Sequence, residues 1–425
     1  MCFARPLQPE MRPDEAALAA KALHGVAAIV LAGGQGTRLF PLTQTRCKPA
    51  VAFGGRYRLI DIPLSNALNS GIENIFVISQ YLASSLQEYI VQTYTTQKIP
   101  IRLICPQETA EKKLWFEGTA DAVRKNLEHL KHVPADYFLI LSGDQLYNID
   151  FQHMLSFAIS KNADLVIASL PVSKENAKRM GVMRVDEEKC IRRFVEKPTQ
   201  PELLKDIYDI ETQTCLGSMG IYIFKKSALI EAMAEHGNDF GSHIIPSTVA
   251  KGGSYAFVYD GYWVDIGTIG SYYEANLALT QGGSCLDIYD ESHPIYGRHN
   301  HLPSPMIKNT LVRDSLISQG SIIEAEEIAS SVIGVRARIG QGSIVHRSIV
   351  LGNHLHDISS ASDFFGIGED CVIDKAIIDE QSYIGHRARL TNSKNIQNFD
   401  GDGIYIRDGI IIVTSGARIP DGFIL

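Results

Sequence analysis

The sequence predicts an α/β protein in two parts, a mainly parallel mixed sheet wrapped by helices and then a parallel β-helix. Two periodicities carry that prediction. From Val26 to about residue 280, short β-branched runs alternate with amphipathic stretches: "VAAIVLAG", "NIFVISQ", "IRLIC", "YFLILSGD" and "DLVIASLPV" read as strands, and Gly118 to Leu130 as a helix between two of them. Strand and helix alternating at this spacing give parallel strands joined by helical crossovers. In such a sheet ligands gather at the carboxyl ends of strands, where the loop after "VAAIV" and the "SGDQ" after "YFLIL" both fall.

Beyond about residue 310 the pattern changes, with aliphatic residues recurring every six positions at Leu316, Ile322 and Ile328, then Ile333, Ile339, Val345 and Leu351, then Ile367 and Ile373, then Ile378, Ile384 and Leu390. That period belongs to neither a helix nor a plain strand. It is the mark of a hexapeptide β-helix, whose triangular coils point one aliphatic side chain per face into a narrow core. The five-residue steps at 328 to 333 and 373 to 378 read as phase slips at corners, and "NHLHDISSASDFF" (353–365) as a loop thrown out of one coil. The aperiodic, Pro-containing "DIYDESHPIYGRHNHLPSP" reads as the connection. The expected layout is an extension over 1–25, a first domain over 26–286, a linker over 287–310 and the β-helix over 311–425.

A chain of 425 residues suits two domains better than one compact core. With 45% hydrophobic and 21% charged residues the composition is that of a soluble globular protein, and a net charge of −8 gives no general attraction to nucleic acid or anionic membrane. Any phosphate site is therefore a local basic spot. The seven cysteines are scattered with no Cys-x-x-Cys pair, so neither a disulfide framework nor a zinc site is expected. The first 25 residues lack an apolar h-region and carry Glu and Asp, unlike a signal or transit peptide, and no apolar run nears the roughly 20 residues that span a bilayer. A cytoplasmic location is the expectation.

The stretch "LAGGQGTRLFPLTQTRCKPAV" (31–51) carries the first chemistry. It lacks the Lys-Ser/Thr of a P-loop, and Leu39 stands where a dinucleotide fingerprint needs its third Gly. What remains is a strand followed by Gly33, Gly34 and Gly36, whose backbone N–H groups can approach an anion closely, with Arg38 and Lys48 as two positive charges; a tight structural turn is the plain alternative. Asp144 in "LSGDQ" follows a run expected to be a buried central strand, where a carboxylate needs a partner such as Mg²⁺ on a triphosphate, unless it caps a helix. Asp265 in "GYWVDIGTIGSY" offers a second carboxylate, or another cap. In "RRFVEKP", Lys197 suits a monoester phosphate and Glu196 suits hydroxyls, against the commoner fate of a solvated surface pair.

Taken together, "LAGGQGTRLFPLTQTRCKPAV", "FGGRYRLIDIPLSNALNSGI", "WFEGTADAV", "SGDQLYNID", "GVMRVD", "FVEKP", "GSMGIYIF" and "YWVDIGTIGSYYEAN" resemble, in order and spacing, the ADP-glucose pyrophosphorylases (glucose-1-phosphate adenylyltransferases). The likeness runs from Val26 to Leu425; "YRLIDIPLSNALNSGI" and "GTADAV" are its most particular stretches. The resemblance implies an N-terminal Rossmann-like nucleotidyltransferase domain and a C-terminal left-handed parallel β-helix. It implies transfer of the adenylyl group of ATP to α-D-glucose 1-phosphate, the committed step of glycogen or starch synthesis, with Mg²⁺ as cofactor. Laid onto this sequence, Leu31, Gly33, Gly34, Gly36, Gln107, Phe116 and Gly118 would bind the nucleotide, Arg38, Lys48 and Asp144 would be catalytic, Asp144 and Asp265 would hold the metal, and Gly181, Glu196, Lys197 and Ser218 would bind glucose 1-phosphate. Family precedent implies a homotetramer or a heterotetramer of related subunits, with phosphorylated metabolites as effectors and neither nucleic acid nor membrane as a partner.

Two departures concern regulation. Thr45 stands where bacterial relatives often have a Lys tied to fructose bisphosphate, and Ser415 where plant and cyanobacterial relatives have a Lys tied to 3-phosphoglycerate. The alternative to a working enzyme is a catalytically silent regulatory subunit, against which the presence of Arg38, Lys48, Asp144, Lys197 and Asp265 weighs. A hexapeptide acyltransferase fits the second part alone.

Overall fold

The computed structural model describes residues 25–95, 99, 101–106, 108–109, 112–113, 115–204, 206–208, 214–283, 286–298, 301–353 and 365–425. Gln107, the extension through residue 24 and residues 354–364 of the expected loop lie outside the described residues.

In the first part the strands run β1 (Val26–Leu31), β2 (Ala52–Phe53), β3 (Tyr57–Arg58), β4 (Asn74–Ile78), β5 (Ile101–Ile104), β6 (Glu108–Thr109), β7 (Lys112–Lys113), β8 (Tyr137–Ser142), β9 (Gln145–Tyr147), β10 (Leu165–Val172), β11 (Gly181–Val185), β12 (Ile191–Glu196), β13 (Cys215–Lys225), β14 (Ser254–Val258) and β15 (Trp263–Asp265). β1 lies between β4 and β8 and parallel to both, and β5 extends the row beyond β4. β13 is the turning point of this sheet, antiparallel to β8 on one side and to β10 along most of its length, while the β11–β12 hairpin branches from its start. The continuous apolar runs of β1 and β8 follow from burial on both faces. Ala28 and Val30 enter the core on one side of the sheet, and Ala27 and Ile29 the core on the other.

The second part is a triangular coil of parallel rungs. One face stacks Met306–Ile307, Ile322–Ile323, Arg338–Ile339, Gly366–Ile367, Tyr383–Ile384 and Arg418–Ile419; the second runs from Leu311–Arg313 to Arg389–Leu390, and the third from Leu316–Ile317 through Ala376–Ile378 to Ile410–Val413. The six-residue ladder is real, with a correction of phase. Register places Ile317, Ile323 and Val350 in the inward columns, above or below Ile333, Ile339 and Ile378, so Leu316, Ile322 and Leu351 stand one residue off the core. The physical cause is that both sides of the rung are apolar at Ile322–Ile323 of the first face and along the third face, so period alone cannot tell inside from outside. The first rung, Met306–Ile307, also lies ahead of residue 311, where the period first becomes legible.

That two-sided face docks the parts together. Its outward residues Val332, Ile349, Ile377 and Ile412 share one core with Leu39, Leu42, Val51 and Phe53 of the first part. Each such side chain, fully buried, contributes roughly 1.5–3 kcal/mol. The helix Ile269–Gln281 clamps the joint. Thr268 and Ser271 form its capping box, the Tyr272 hydroxyl donates to the Ala52 carbonyl at 2.5 Å, and the Tyr273 hydroxyl donates to the Arg347 carbonyl. Among the described residues no helix is long and apolar enough to cross a membrane.

Candidate active site

The Gly-rich loop leaves β1 at the carboxyl edge of the sheet, pinned on both sides: the Ala32 amide donates to the Ile78 carbonyl at 2.8 Å, and the Gly143 amide to the Leu31 carbonyl at 3.0 Å. Gly36 then adopts a left-handed conformation (φ 64°) and starts the short 3₁₀ turn Thr37–Leu39 that carries Arg38. A Cβ at Gly36 would stand 2.9 Å from the Lys48 Cβ and 3.0 Å from the Thr43 Cγ2, so both its φ and its surroundings require glycine. The Thr43 hydroxyl locks the turn by donating to the Gly36 carbonyl at 3.0 Å.

Lys48 opens a second 3₁₀ turn, Lys48–Ala50, and is largely buried. Its Nζ lies 2.5 Å from Asp144 Oδ2, while the Ser142 hydroxyl donates to Asp144 Oδ1. Asp144 occupies the turn between β8 and β9 and caps no helix; the following helix, Phe151–Ser160, is capped by Asp150. Asp265 is no cap either, since Thr268 caps the helix after it. β15 pairs with β9 so that Asp265 stands opposite Gln145, and the Ile266 amide donates to the Asp144 carbonyl at 3.3 Å, which puts the two acids side by side.

Asp265 is exposed on one side, and the protein packed on its other side raises its carboxyl pKa. The neighbouring Asp144 charge adds to the rise, and Lys48, Arg38 and Lys197 oppose it. Two hard oxygen donors that repel one another at adjacent strand ends suit a divalent cation such as Mg²⁺. Among the described residues no third His, Cys, Asp or Glu joins them, so water and phosphate oxygens must complete such a cation's shell.

On the other side of the cleft, β11 and β12 set Gly181 opposite Glu196. A Cβ at Gly181 would lie 2.3 Å from Phe194 Cζ and 2.7 Å from Glu196 Oε2, so glycine there leaves the carboxylate its place. Lys197, with a left-handed backbone and 63% of its side chain exposed, reaches Glu196 at 3.0 Å. Ser218 lies on the adjacent β13, buried, its oxygen accepting from the Gly220 amide at 3.2 Å. Lys197 is thus an exposed charge beside a largely buried carboxylate, and its field reaches Asp265.

Phe116 is buried and Gly118 leads into the helix Thr119–Lys125. Gln80 at the end of β4 ties Phe116 down, accepting from its amide at 2.5 Å and donating to its carbonyl at 3.0 Å, and lies beside Gly33. Sequence reasoning missed Gln80 and also Ser142. Both stand at carboxyl ends of strands it had identified, and that position was the available signal.

A cavity of about 620 Å³ opens between the Gly-rich loop and the β-helix, lined by Gln35, Arg38, Thr43, Tyr81, Thr268 and Arg407 among others. Thr45 is exposed nearby in sequence and Ser415 is half-buried. Comparison with known proteins supports the two-part architecture. Residues 27–282 match the family described as nucleotidyl transferase, and residues 300–424 match the GLGC left-handed parallel beta-helix domain.

Proposed function

Because the chain belongs to the ADP-glucose pyrophosphorylase family of nucleotidyl transferases, we propose that it transfers the adenylyl group of ATP to α-D-glucose 1-phosphate, giving ADP-glucose and pyrophosphate. The observation that carries the reading is the cluster of Lys48, Asp144 and Asp265 beneath the Gly-rich loop, with Lys197 and Glu196 across the cleft. A phosphate oxygen of the sugar phosphate attacks the α-phosphorus in line and the bond to pyrophosphate breaks, with no covalent enzyme intermediate. Such a reaction asks for positioning and charge neutralisation rather than an activated side chain.

The residues divide that work. Gly33, Gly34 and Gly36 admit the triphosphate close to the backbone, and Arg38 and Lys48 neutralise the departing pyrophosphate. Lys197 holds the sugar phosphate, Glu196 accepts from sugar hydroxyls, and Phe116 and Gly118 flank the base. Asp144 and Asp265 would hold Mg²⁺, which when bound supplies positive charge to the phosphate oxygens. The proposal includes a tetramer and a phosphorylated-metabolite effector, with Thr45 and Ser415 in place of the lysines that relatives use.

Pyrophosphate release from the purified chain tests this, with a panel of nucleoside triphosphates and sugar 1-phosphates, with and without Mg²⁺ and candidate phosphorylated metabolites. ATP with glucose 1-phosphate should give the highest kcat/KM. A higher value for another pair would overturn the substrate assignment. No turnover alone, with a rise in a related subunit's activity, would make this chain a regulatory subunit.

A further inference from the structure

One buried contact between the two parts is ionic. Arg46 of the Lys48 loop places Nη2 2.7 Å from Asp379 Oδ1 and Nη1 3.3 Å from Glu380 Oε2, with the Arg46 and Asp379 side chains only 6% and 2% exposed. Asp379 follows the rung Ala376–Ile378, whose Ile377 lies in the joint core, and its own amide donates to the Val413 carbonyl at 2.9 Å. Arg58 stands 3.7 Å from Glu380 on the other side, so two cations face two carboxylates.

A buried ion pair is weak evidence of stability, because desolvation offsets most of its attraction; what it supplies is direction. The apolar joint between Leu42, Val51, Ile377 and Ile412 already holds the parts together, but the hydrophobic force that closes it is non-directional and does not by itself aim one loop. The pair fixes one loop, and that loop has little slack. Cys47 is fully buried, the Ala50 amide donates to its carbonyl at 3.0 Å, the Ile60 amide donates to the Pro49 carbonyl at 3.0 Å, and Lys48 packs against Gly36. A shift of Arg46 is therefore passed within two residues to the Lys48 side chain on Asp144.

We propose that Asp379 and Glu380 of the β-helix are positioning residues for the transfer reaction, acting through Arg46 to hold Lys48 at the catalytic carboxylate. The proposal rests on the role given to Lys48 above. On this view the β-helix completes the active site without touching substrate.

The test compares Asp379→Asn and the double variant Arg46→Met with Asp379→Leu, which removes the buried pair and leaves Glu380 facing Arg58, each checked for folding by circular dichroism. Two readouts are taken: steady-state kinetics of pyrophosphate release, and the rate at which acetic anhydride acylates Lys48, followed by peptide mass spectrometry. The folded variants should lose roughly 10- to 100-fold in kcat with KM for both substrates within about threefold of the parent, and Lys48 should be acylated several-fold faster. A purely structural contact would lower the unfolding temperature and leave both readouts alone. A folded double variant with kcat within about twofold of the parent, or with a kcat loss and unchanged Lys48 acylation, overturns the proposal. If the unaltered chain releases no pyrophosphate, the functional reading has failed instead, and the acylation rates alone decide whether the contact holds Lys48.

Discussion

Replacing Gly36 and Gly34 separately with alanine distinguishes what the loop needs in order to fold from what it needs in order to bind. At Gly36 the backbone φ of 64° costs an alanine about 1–2 kcal/mol. The new Cβ would also stand 2.9 Å from the Lys48 Cβ and 3.0 Å from Thr43 Cγ2, and relieving such overlap in a packed region costs about 1–3 kcal/mol. The sum, about 2–5 kcal/mol, should lower the thermal unfolding midpoint by at least about 4 °C for a domain of this size. Because Lys48 is the neighbour that must move, kcat should fall with it. At Gly34 a Cβ meets nothing within 4 Å and no positive φ is involved. Gly34→Ala should therefore leave the midpoint within about 2 °C, since a surface change away from such features stays within about 0.5 kcal/mol. It should nonetheless raise the KM for ATP if the backbone there approaches the triphosphate. Scanning calorimetry with initial-rate kinetics reads both effects. A Gly36→Ala protein with normal midpoint and normal kcat would refute the packing argument, and a Gly34→Ala protein with normal KM for ATP would refute the triphosphate cradle.

Three further outcomes are expected. Asp144→Asn should lower kcat by roughly 10²–10³ with the KM for glucose 1-phosphate little changed, because it removes an anionic oxygen donor that would hold the cation against the phosphates; near-normal turnover in single-turnover kinetics would remove Asp144 from the metal role. Lys197→Ala should raise the KM for glucose 1-phosphate by the equivalent of about 1.5–3 kcal/mol with kcat retained, and a loss confined to kcat would contradict its place on the sugar phosphate. Asp61 is wholly buried beneath the Tyr89 and Tyr94 hydroxyls, and burial pushes its carboxyl pKa up from 3.8 to about 6. A raised acid pKa means that the folded state holds the proton more tightly, so this group's contribution is present below the unfolded value and is lost as pH rises from about 4 to about 6, by about 3 kcal/mol in all. Urea unfolding across that range should show the decline in the parent relative to Asp61→Asn, and a difference that grows with pH would reverse the assignment.

How much of this was legible in the sequence depended on the range of the contact concerned. Gly36 and Asp144 could be singled out because each stands a few residues past an apolar strand, and a strand's carboxyl end can be read locally. The β-helix was legible as a period but not as a phase. Pairs such as "VI" at 332–333, "IV" at 349–350 and "II" at 377–378 put an aliphatic residue on both sides of the rung. That doubling looks like noise in a six-residue ladder, yet it marks the face that packs on another domain, since a rung facing water would pair its inward residue with a polar one, as Arg338 does beside Ile339. Arg46 and Asp379 lie 333 positions apart and carry no local pattern at all. Gln80 was hidden for the opposite reason, a common residue in an expected place whose bonds to Phe116 depend on a chain segment 36 positions away. The doubled aliphatic face therefore does more than glue the parts: it brings the corner after Ile378 up to the Lys48 loop, where Asp379 meets Arg46 and, on the proposal above, the ion pair then aims that loop at Asp144.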